Sequence, residues 1–168
     1  MTRIKTPITN IIVKIPIVII SILVFIRDYN SLIDYFELTG NSNSIVDYLK
    51  IVFTTSTLRT SFLMLIPLIG VFLKTKMGWV LMLSFYYFLI SLFIYFFIDA
   101  ELERDGSIVI AFLFVILPMI FIGVMNNKDN TKVVYHIKSN ELIKMNLASF
   151  IIMLIQIAMI SFFNLTQQ

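Results

Sequence analysis

The sequence contains no cysteine and few charged residues, and each lack narrows the possible classes of protein. Without cysteine there is no disulfide, no thiolate metal site and no cysteine nucleophile. Charged residues make up 14% and hydrophobic residues 59% of the 168 residues, whereas soluble domains usually have about 25% and about 45–50%. A chain this short has too much surface to hide such an apolar excess from water. The composition argues against a soluble enzyme, a disordered chain or a coiled coil, and predicts an integral membrane protein.

Residues that carry out chemistry are also scarce. His136 is the single histidine, and without a second histidine or a nearby carboxylate pair we interpret it as a loop residue. The signatures of metalloproteases, serine nucleophiles, phosphate-binding loops and dinucleotide sites are lacking. We therefore predict no catalytic residue, no cofactor and no metal site.

Two charged features could suggest a ligand, but neither has the required pattern. An acidic cluster comprises Asp99, Glu101, Glu103 and Asp105. It lacks the spacing and the glycine of a calcium-binding loop, so we interpret it as a solvated connector. The net charge is +3, yet no run of lysine and arginine alternates with aromatic residues, which argues against binding of nucleic acid.

Five stretches are long and apolar enough to cross a bilayer, which requires about 20 residues per helix. They are residues 7–26, 54–73, 77–98, 107–125 and 145–163. The first contains Lys14 and the second Arg59, so either of these two could instead lie at the membrane interface. We predict an all-α bundle of five transmembrane helices, or four in that case, forming a single membrane domain over residues 1–168.

The segments around the first two spans carry signals for helix ends. The first span is followed by Arg27 and Asp28 without a cleavage pattern, so we expect it to be retained as a membrane helix. Residues 31–39 predict a separate short amphipathic helix that stops at Gly40. Ser44 and Asp47 match a capping box, which predicts that the second membrane helix begins there.

The charges of the connecting segments alternate along the chain. The N-terminus and the second and fourth loops hold eight lysines and arginines, whereas the first and third loops hold three, together with eight of the ten acids. Basic residues accumulate on the cytoplasmic side of membrane proteins. The alternation predicts a cytoplasmic N-terminus and a C-terminus outside.

The two charges within spans have different surroundings. Lys14 lies among isoleucines and valines near the predicted cytoplasmic edge, where a lysine can reach the head groups and act as an interface anchor. Arg59 lies among hydroxyl residues that can form hydrogen bonds between helices. We therefore predict a candidate intramembrane polar site, which consists of Arg59, Thr57, Thr60 and Ser61. No acid lies within the five predicted spans, so we expect no buried counter-ion from this chain.

Two tyrosines fall near the middle of the third span. Tyr86 and Tyr87 carry hydroxyl groups that need hydrogen-bond acceptors when they are buried. We predict that both donate hydrogen bonds to neighbouring helices.

Three functions are compatible with these features. The first is a small non-catalytic protein that acts through contacts with another membrane protein or a second copy of itself, as an accessory subunit or an immunity-type protein. The second is a subunit of an oligomeric channel or transporter, and the third a lipid-modifying enzyme, which the lack of a polar catalytic cluster disfavours. A composition rich in isoleucine, lysine and asparagine is typical of AT-rich bacterial genomes, so we predict a multi-pass protein of the bacterial inner membrane, in contact with membrane lipids.

Overall fold

The described part of the chain consists of helices and short connecting turns, without strands. The computed structural model describes residues 8–39, 44, 46, 56–99 and 107–165, except the side chains of residues 35, 36, 38, 39, 56–59, 96–99, 107–113, 129 and 162–165. The helices are α1 (Ile8–Thr39), α2 (Ser56–Phe72), α3 (Lys76–Asp99), α4 (Ser107–Met125) and α5 (Leu142–Leu165), with a π-helical turn, Asp129–Val134, between α4 and α5.

Three of these helices are long and apolar enough to span a membrane. They are the segments Ile8–Asp34, Lys76–Tyr95 and Leu142–Ser161. Two shorter apolar stretches, Thr60–Phe72 and Phe114–Met125, belong to α2 and α4. The protein is therefore a helical membrane protein with at least three segments of spanning length, as its composition predicts.

Helix α1 is longer than the sequence predicts. We expected the first span to end at residue 26 and a separate helix to follow, but α1 runs unbroken to Thr39. No glycine or proline lies between Arg27 and Thr39 to interrupt it. The expectation of a break was wrong, because the first charged residues do not end the helix.

Two further expectations concern residues that lie largely outside the described part of the chain. Helix α2 begins at Ser56 in the described residues, and the predicted capping residue Asp47 and residues 48–55 lie outside them. The same applies to the acidic cluster, of which only the backbone of Asp99 is described. These expectations stay predictions.

Helix α3 lies at the centre of the bundle. It packs against α1, α2, α4 and α5, and 50% of its spanning segment is buried, compared with 22% for α1 and 17% for α5. Its most buried side chains are large, and they are Trp79, Met82, Leu83, Phe85 and Tyr86. A helix that is apolar all round is suited to this central position.

Both mid-span tyrosines of α3 bond to neighbouring helices. The Tyr86 hydroxyl donates to the backbone carbonyl of Val13 in α1, and its ring stacks on Phe121 of α4 with centroids 5.1 Å apart. The Tyr87 hydroxyl donates to Oδ1 of Asn146 in α5 at 3.0 Å. The prediction that both are interhelical donors is confirmed.

Two glycines allow α2 and α3 to form a tight hairpin. A Cβ atom on Gly70 would lie 2.9 Å from the carbonyl oxygen of Gly78 and 2.9 Å from the Cβ of Leu81. A Cβ on Gly78 would lie 2.2 Å from the carbonyl oxygen of Leu73. Because neither position has room for a side chain, the close contact of these two helices depends on glycine.

We predict that Gly70→Ala destabilises the protein, because the added methyl group forces α2 and α3 apart. Overpacking of this kind typically costs about 1–3 kcal/mol. The measurement is thermal unfolding in detergent, followed by the fluorescence of Trp79, the only tryptophan.

Gly123→Ala is the matched control, since a Cβ on Gly123 of α4 would meet nothing within 4 Å. This control should leave the melting temperature unchanged or raise it, because alanine favours a helix over glycine. Equal melting temperatures for the two variants would contradict the proposed role of Gly70.

Candidate functional site

A carboxylate is buried in the interface between α1 and α2. Asp28 is 1% exposed and lies within the apolar segment Ile8–Asp34. It belongs to the buried face of α1, which also includes Asn10, Val13, Ile17 and Ser21. The expectation that this chain supplies no buried counter-ion was wrong, because Asp28 is a buried carboxylate just beyond the predicted span 7–26.

Asp28 is fully engaged by hydrogen bonds and an ion pair. Its Oδ2 accepts bonds from the hydroxyl of Ser61 at 2.6 Å and from the Ser61 backbone N–H at 3.2 Å. Its Oδ1 accepts a bond from Nε of Arg27 at 2.8 Å and lies 2.7 Å from the Arg27 Nη2 atom. These contacts satisfy both oxygens, which is what permits a carboxylate to be buried among apolar helices.

Arg27 explains why its neighbour can be buried. The Arg27 side chain is 55% exposed, so it remains accessible while its guanidinium compensates the charge of Asp28. Adjacent residues of a helix point in different directions, which places Arg27 on the outer surface and Asp28 at the interface. A charged pair in the sequence therefore need not mark the end of a span.

The predicted polar site is placed in part. Ser61 binds Asp28 directly, and Thr60 is half-buried beside it. Arg59 and Thr57 lie in the first turns of α2, and their side chains are outside the described residues. The described part of the site is thus a buried carboxylate bonded to a serine in the hydroxyl-rich stretch of α2.

The sequence holds a signal for Asp28. Ser21 and Asp28 are seven residues apart, which is about two helical turns, and Asn10 lies eleven residues before Ser21, about three turns. All three polar residues therefore share one face of a continuous helix. The polar face is recognisable only when the helix continues beyond residue 26, because a span that ends at the first charge does not include Asp28.

Lys14 bonds to the other end of α2. Its Nζ donates to the backbone carbonyl of Val71 at 2.5 Å, in the last turn of α2. The last carbonyl groups of a helix lack intrahelical donors, and a lysine there is favourable. The anchoring of Lys14 to head groups stays a prediction, and within the protein it ties α1 to α2.

The starts of α1, α3 and α5 meet the ends of α2 and α4 at one end of the bundle, which we call the lysine end. Trp79, near the start of α3, donates from Nε1 to the carbonyl of Met125 at 3.1 Å. Lys76 pairs with Glu141 at 2.7 Å. The lysine end includes Lys14, Lys74, Lys76, Lys128, Lys132, Lys138 and Lys144.

The segment between α4 and α5 folds back against the start of α1. Asn10 donates from Nδ2 to the hydroxyl of Tyr135 at 2.7 Å, and Thr9 donates to Oδ1 of Asn130 at 3.2 Å. Tyr135 is 1% exposed. Burial raises the pKa of Tyr135, against an opposite effect of the Asn10 hydrogen bond. The phenol therefore remains a neutral partner of Asn10.

A second polar group joins α3 and α5 to the end of α4. Asn146 donates from Nδ2 to Oδ1 of Asn126 at 2.9 Å, and its Oδ1 accepts the hydroxyl of Tyr87. Asn126 and Asn146 also donate to the backbone carbonyls of Ile122 and Leu142, both at 2.9 Å. The two amides are therefore occupied by contacts within the bundle.

Glu141 carries the ion pair of the lysine end. A hydrogen bond from Lys76 and a second from the backbone N–H of Lys138 lower the pKa of the Glu141 carboxyl. The carboxylate is therefore ionised at neutral pH. Within the described residues, no group of three or more histidine, cysteine, aspartate or glutamate side chains could hold a metal ion, and His136 is an exposed residue in the segment between α4 and α5.

Comparisons with protein-family models, curated proteins and solved structures return no match.

We predict that Asp28→Ala lowers the free energy of unfolding by about 2 kcal/mol, because hydrogen bonds to a charged group contribute about 1.5–3 kcal/mol. The loss arises at the contact between α1 and α2, where the Ser61 hydroxyl loses its acceptor. Thermal or denaturant unfolding in detergent measures the effect.

Asp34→Ala provides the control, since Asp34 is an exposed acid on the same helix. Exposed substitutions usually change stability by less than about 0.5 kcal/mol. If the two variants unfold alike, Asp28 does not hold α1 and α2 together.

Proposed function

We propose that this chain is a small non-catalytic multi-pass protein of a bacterial inner membrane, which acts by binding another membrane protein within the bilayer. It would be an accessory subunit or an immunity-type protein. Its partners would be membrane lipids and a membrane protein, or further copies of itself.

The pairing of the buried polar groups is the observation that carries this proposal. Among the described buried side chains, only Ser21 Oγ and Gln156 Oε1 lack a hydrogen-bond partner. The contacts of Asp28, Tyr86, Tyr87 and Asn146 join one helix to another. Catalysis requires polar groups that converge on a substrate, whereas these groups bind one another. This arrangement favours a structural or binding role.

Two helices offer apolar faces for contacts within the bilayer. The exposed face of α1 includes Ile8, Ile11, Ile12, Ile15, Ile19, Ile22, Leu23 and Ile26. The exposed face of α5 includes Ile143, Leu147, Phe150, Ile151, Leu154, Ile155 and Met159. Such surfaces fit acyl chains and partner helices equally well, because association in lipid depends on close packing rather than on hydrophobicity alone.

The proposal includes five crossings with the N-terminus in the cytoplasm. Contacts at the lysine end support alternating helix directions, since helix starts and helix ends meet there in turn. Helices α2 and α4 are 17 and 19 residues long in the described part, close to the length of about 20 residues that a crossing requires. Lysines at this end match the cytoplasmic excess of basic residues.

We predict that a C-terminal alkaline phosphatase fusion is active, because an odd number of crossings places the C-terminus outside. A fluorescent-protein fusion at the same position should stay dark, and one at the N-terminus should be bright. Fluorescence from the C-terminal fusion would contradict five crossings and favour an interfacial α1 or α2.

A channel or transporter subunit is the second candidate, and Asp28 favours it. An ionisable group buried within a spanning segment often marks an ion or proton pathway. Here it lies next to the hydroxyl residues of α2, although Arg27 and Ser61 occupy both of its oxygens. An assembly of this chain alone that conducts ions in a planar bilayer would support this candidate.

We predict that Arg59→Ala weakens association with the partner more than Lys14→Ala does. Arg59 has five donors to satisfy among hydroxyl residues, whereas Lys14 is already bonded to Val71. The test is co-purification of tagged variants in mild detergent with mass spectrometry.

The expected result is a heteromeric partner that is depleted for Arg59→Ala and retained for Lys14→Ala. Unchanged association and equal or better stability for Arg59→Ala would contradict a role of Arg59 in binding. A chain that purifies only as a single copy would contradict the proposed function itself.

A further inference from the structure

The lysine end carries a shallow pocket that the proposed function does not use. Its lining consists of Lys132, His136, Ile137, Lys138 and Ser139, and its volume is ≈ 370 Å³. Four of these residues are exposed polar or basic residues. All of their side chains can donate hydrogen bonds, and none is a carboxylate.

The pocket is built on a fixed backbone. The N–H of Tyr135 bonds to the carbonyl of Asn130 at 3.2 Å, and the N–H of Ile137 bonds to the carbonyl of Thr131 at 2.7 Å. All four of these residues are buried. Residues 130–137 are thus joined by internal backbone hydrogen bonds and anchored by buried side chains, which limits the movement of the exposed residues between them.

His136 is presented between two buried neighbours. Its φ is 54°, in the left-handed region that non-glycine residues seldom adopt. Tyr135 and Ile137 are each 1% exposed, while His136 is exposed. The turn at His136 lets both neighbours reach the interior and leaves the imidazole at the pocket.

The two lysines of the pocket form no ion pair with a described carboxylate. The ion pairs among described residues are Arg27–Asp28 and Lys76–Glu141, so neither Lys132 nor Lys138 pairs with a described carboxylate. Among acids whose side chains are described, Glu141 is the nearest along the chain, and it is bound to Lys76 and to the backbone N–H of Lys138. Glu141 lies near Lys138 but pairs with Lys76, so neither pocket lysine is engaged by an ion pair with a described carboxylate.

Exposed apolar side chains lie in the same segments as the lysines of the pocket. Val133 is 42% exposed and Ile143 is 81% exposed, so apolar side chains emerge beside the lysines. Lysines with apolar neighbours are typical of protein surfaces that contact lipid head groups. Such a composition is suited to contact with lipid head groups.

We propose that this pocket binds the phosphate group of an anionic membrane lipid. Lys132 and Lys138 supply the positive charge, and the Ser139 hydroxyl and a ring N–H of His136 donate hydrogen bonds to the phosphate oxygens. A choline lipid carries a positive charge next to its phosphate and is therefore a weaker ligand. The site goes beyond the proposed function, because it requires no protein partner.

The test compares short-chain phosphatidate, phosphatidylglycerol and phosphatidylcholine, titrated against the full chain in neutral detergent. Native mass spectrometry measures the bound lipid. We expect both anionic lipids to bind more tightly than phosphatidylcholine. Each lysine near an anionic surface contributes roughly a fivefold factor, so Lys132→Ala with Lys138→Ala should weaken anionic binding about 25-fold.

A matched double variant separates a site from diffuse attraction. Lys128→Ala with Lys144→Ala removes the same charge from the same end but leaves the pocket lining intact. We expect this control to weaken binding by less than about threefold, since the pocket lysines remain. The fluorescence of the buried Trp79 on heating checks that both variants are folded.

Three results would overturn the proposal. The first is an equal loss in both double variants, which would indicate general attraction to basic residues. The second is equal binding of phosphatidylcholine, which would indicate recognition of acyl chains. The third is displacement of the lipid by inorganic phosphate at the same concentration, which would make free phosphate the ligand.

Discussion

The bilayer requires every polar group within it to find a partner in the protein, because hydrocarbon offers none. The organisation of the described helices depends on this requirement. Asp28 and Ser61 join α1 to α2, Tyr86 joins α3 to α1, and Tyr87 joins α3 to α5. Apolar packing alone permits many helix arrangements in lipid. These interhelical hydrogen bonds stabilise one of those arrangements over the others. Helix α3 lies at its centre because it carries large buried side chains and two of the hydroxyl donors.

Features that depend on one helix could be predicted from the sequence, and features that depend on distant pairs could not. Tyr86 and Tyr87 were predictable donors, because a phenol in the middle of an apolar helix needs an acceptor wherever that acceptor lies. The burial of Tyr135 could not be predicted, since it depends on a contact with Asn10, 125 positions earlier in the chain. The sequence of the loop, with four lysines nearby, resembles a solvated connector until that contact is known.

The burial of Asp28 could not be predicted for a different reason, which is the way the end of a membrane span is assigned from sequence. Hydropathy alone ends the first span at Arg27, because two charged residues interrupt the apolar run. A helix, however, continues until its backbone is interrupted, and an arginine that stays accessible can neutralise an aspartate that does not. The sequence therefore indicated Ser61 of α2 but not its partner Asp28 of α1, and a site formed by Arg59, Thr57, Thr60 and Ser61 stays a prediction.

The bond between Asp28 and Ser61 bears on both candidate functions. Opening a path between α1 and α2 would separate these residues and leave the Asp28 carboxylate with Arg27 as its remaining described partner. Hydrogen bonds to a charged group contribute about 1.5–3 kcal/mol, and this contribution would be lost on opening. Water or a cation that enters between α1 and α2 would offset that cost. Separation of the two helices would therefore be coupled to hydration of Asp28. In a binding protein the same cost instead keeps α1 and α2 together and preserves the outer apolar face of α1 as one rigid surface. The state of hydration around Asp28 is therefore the physical quantity in which the two functions differ.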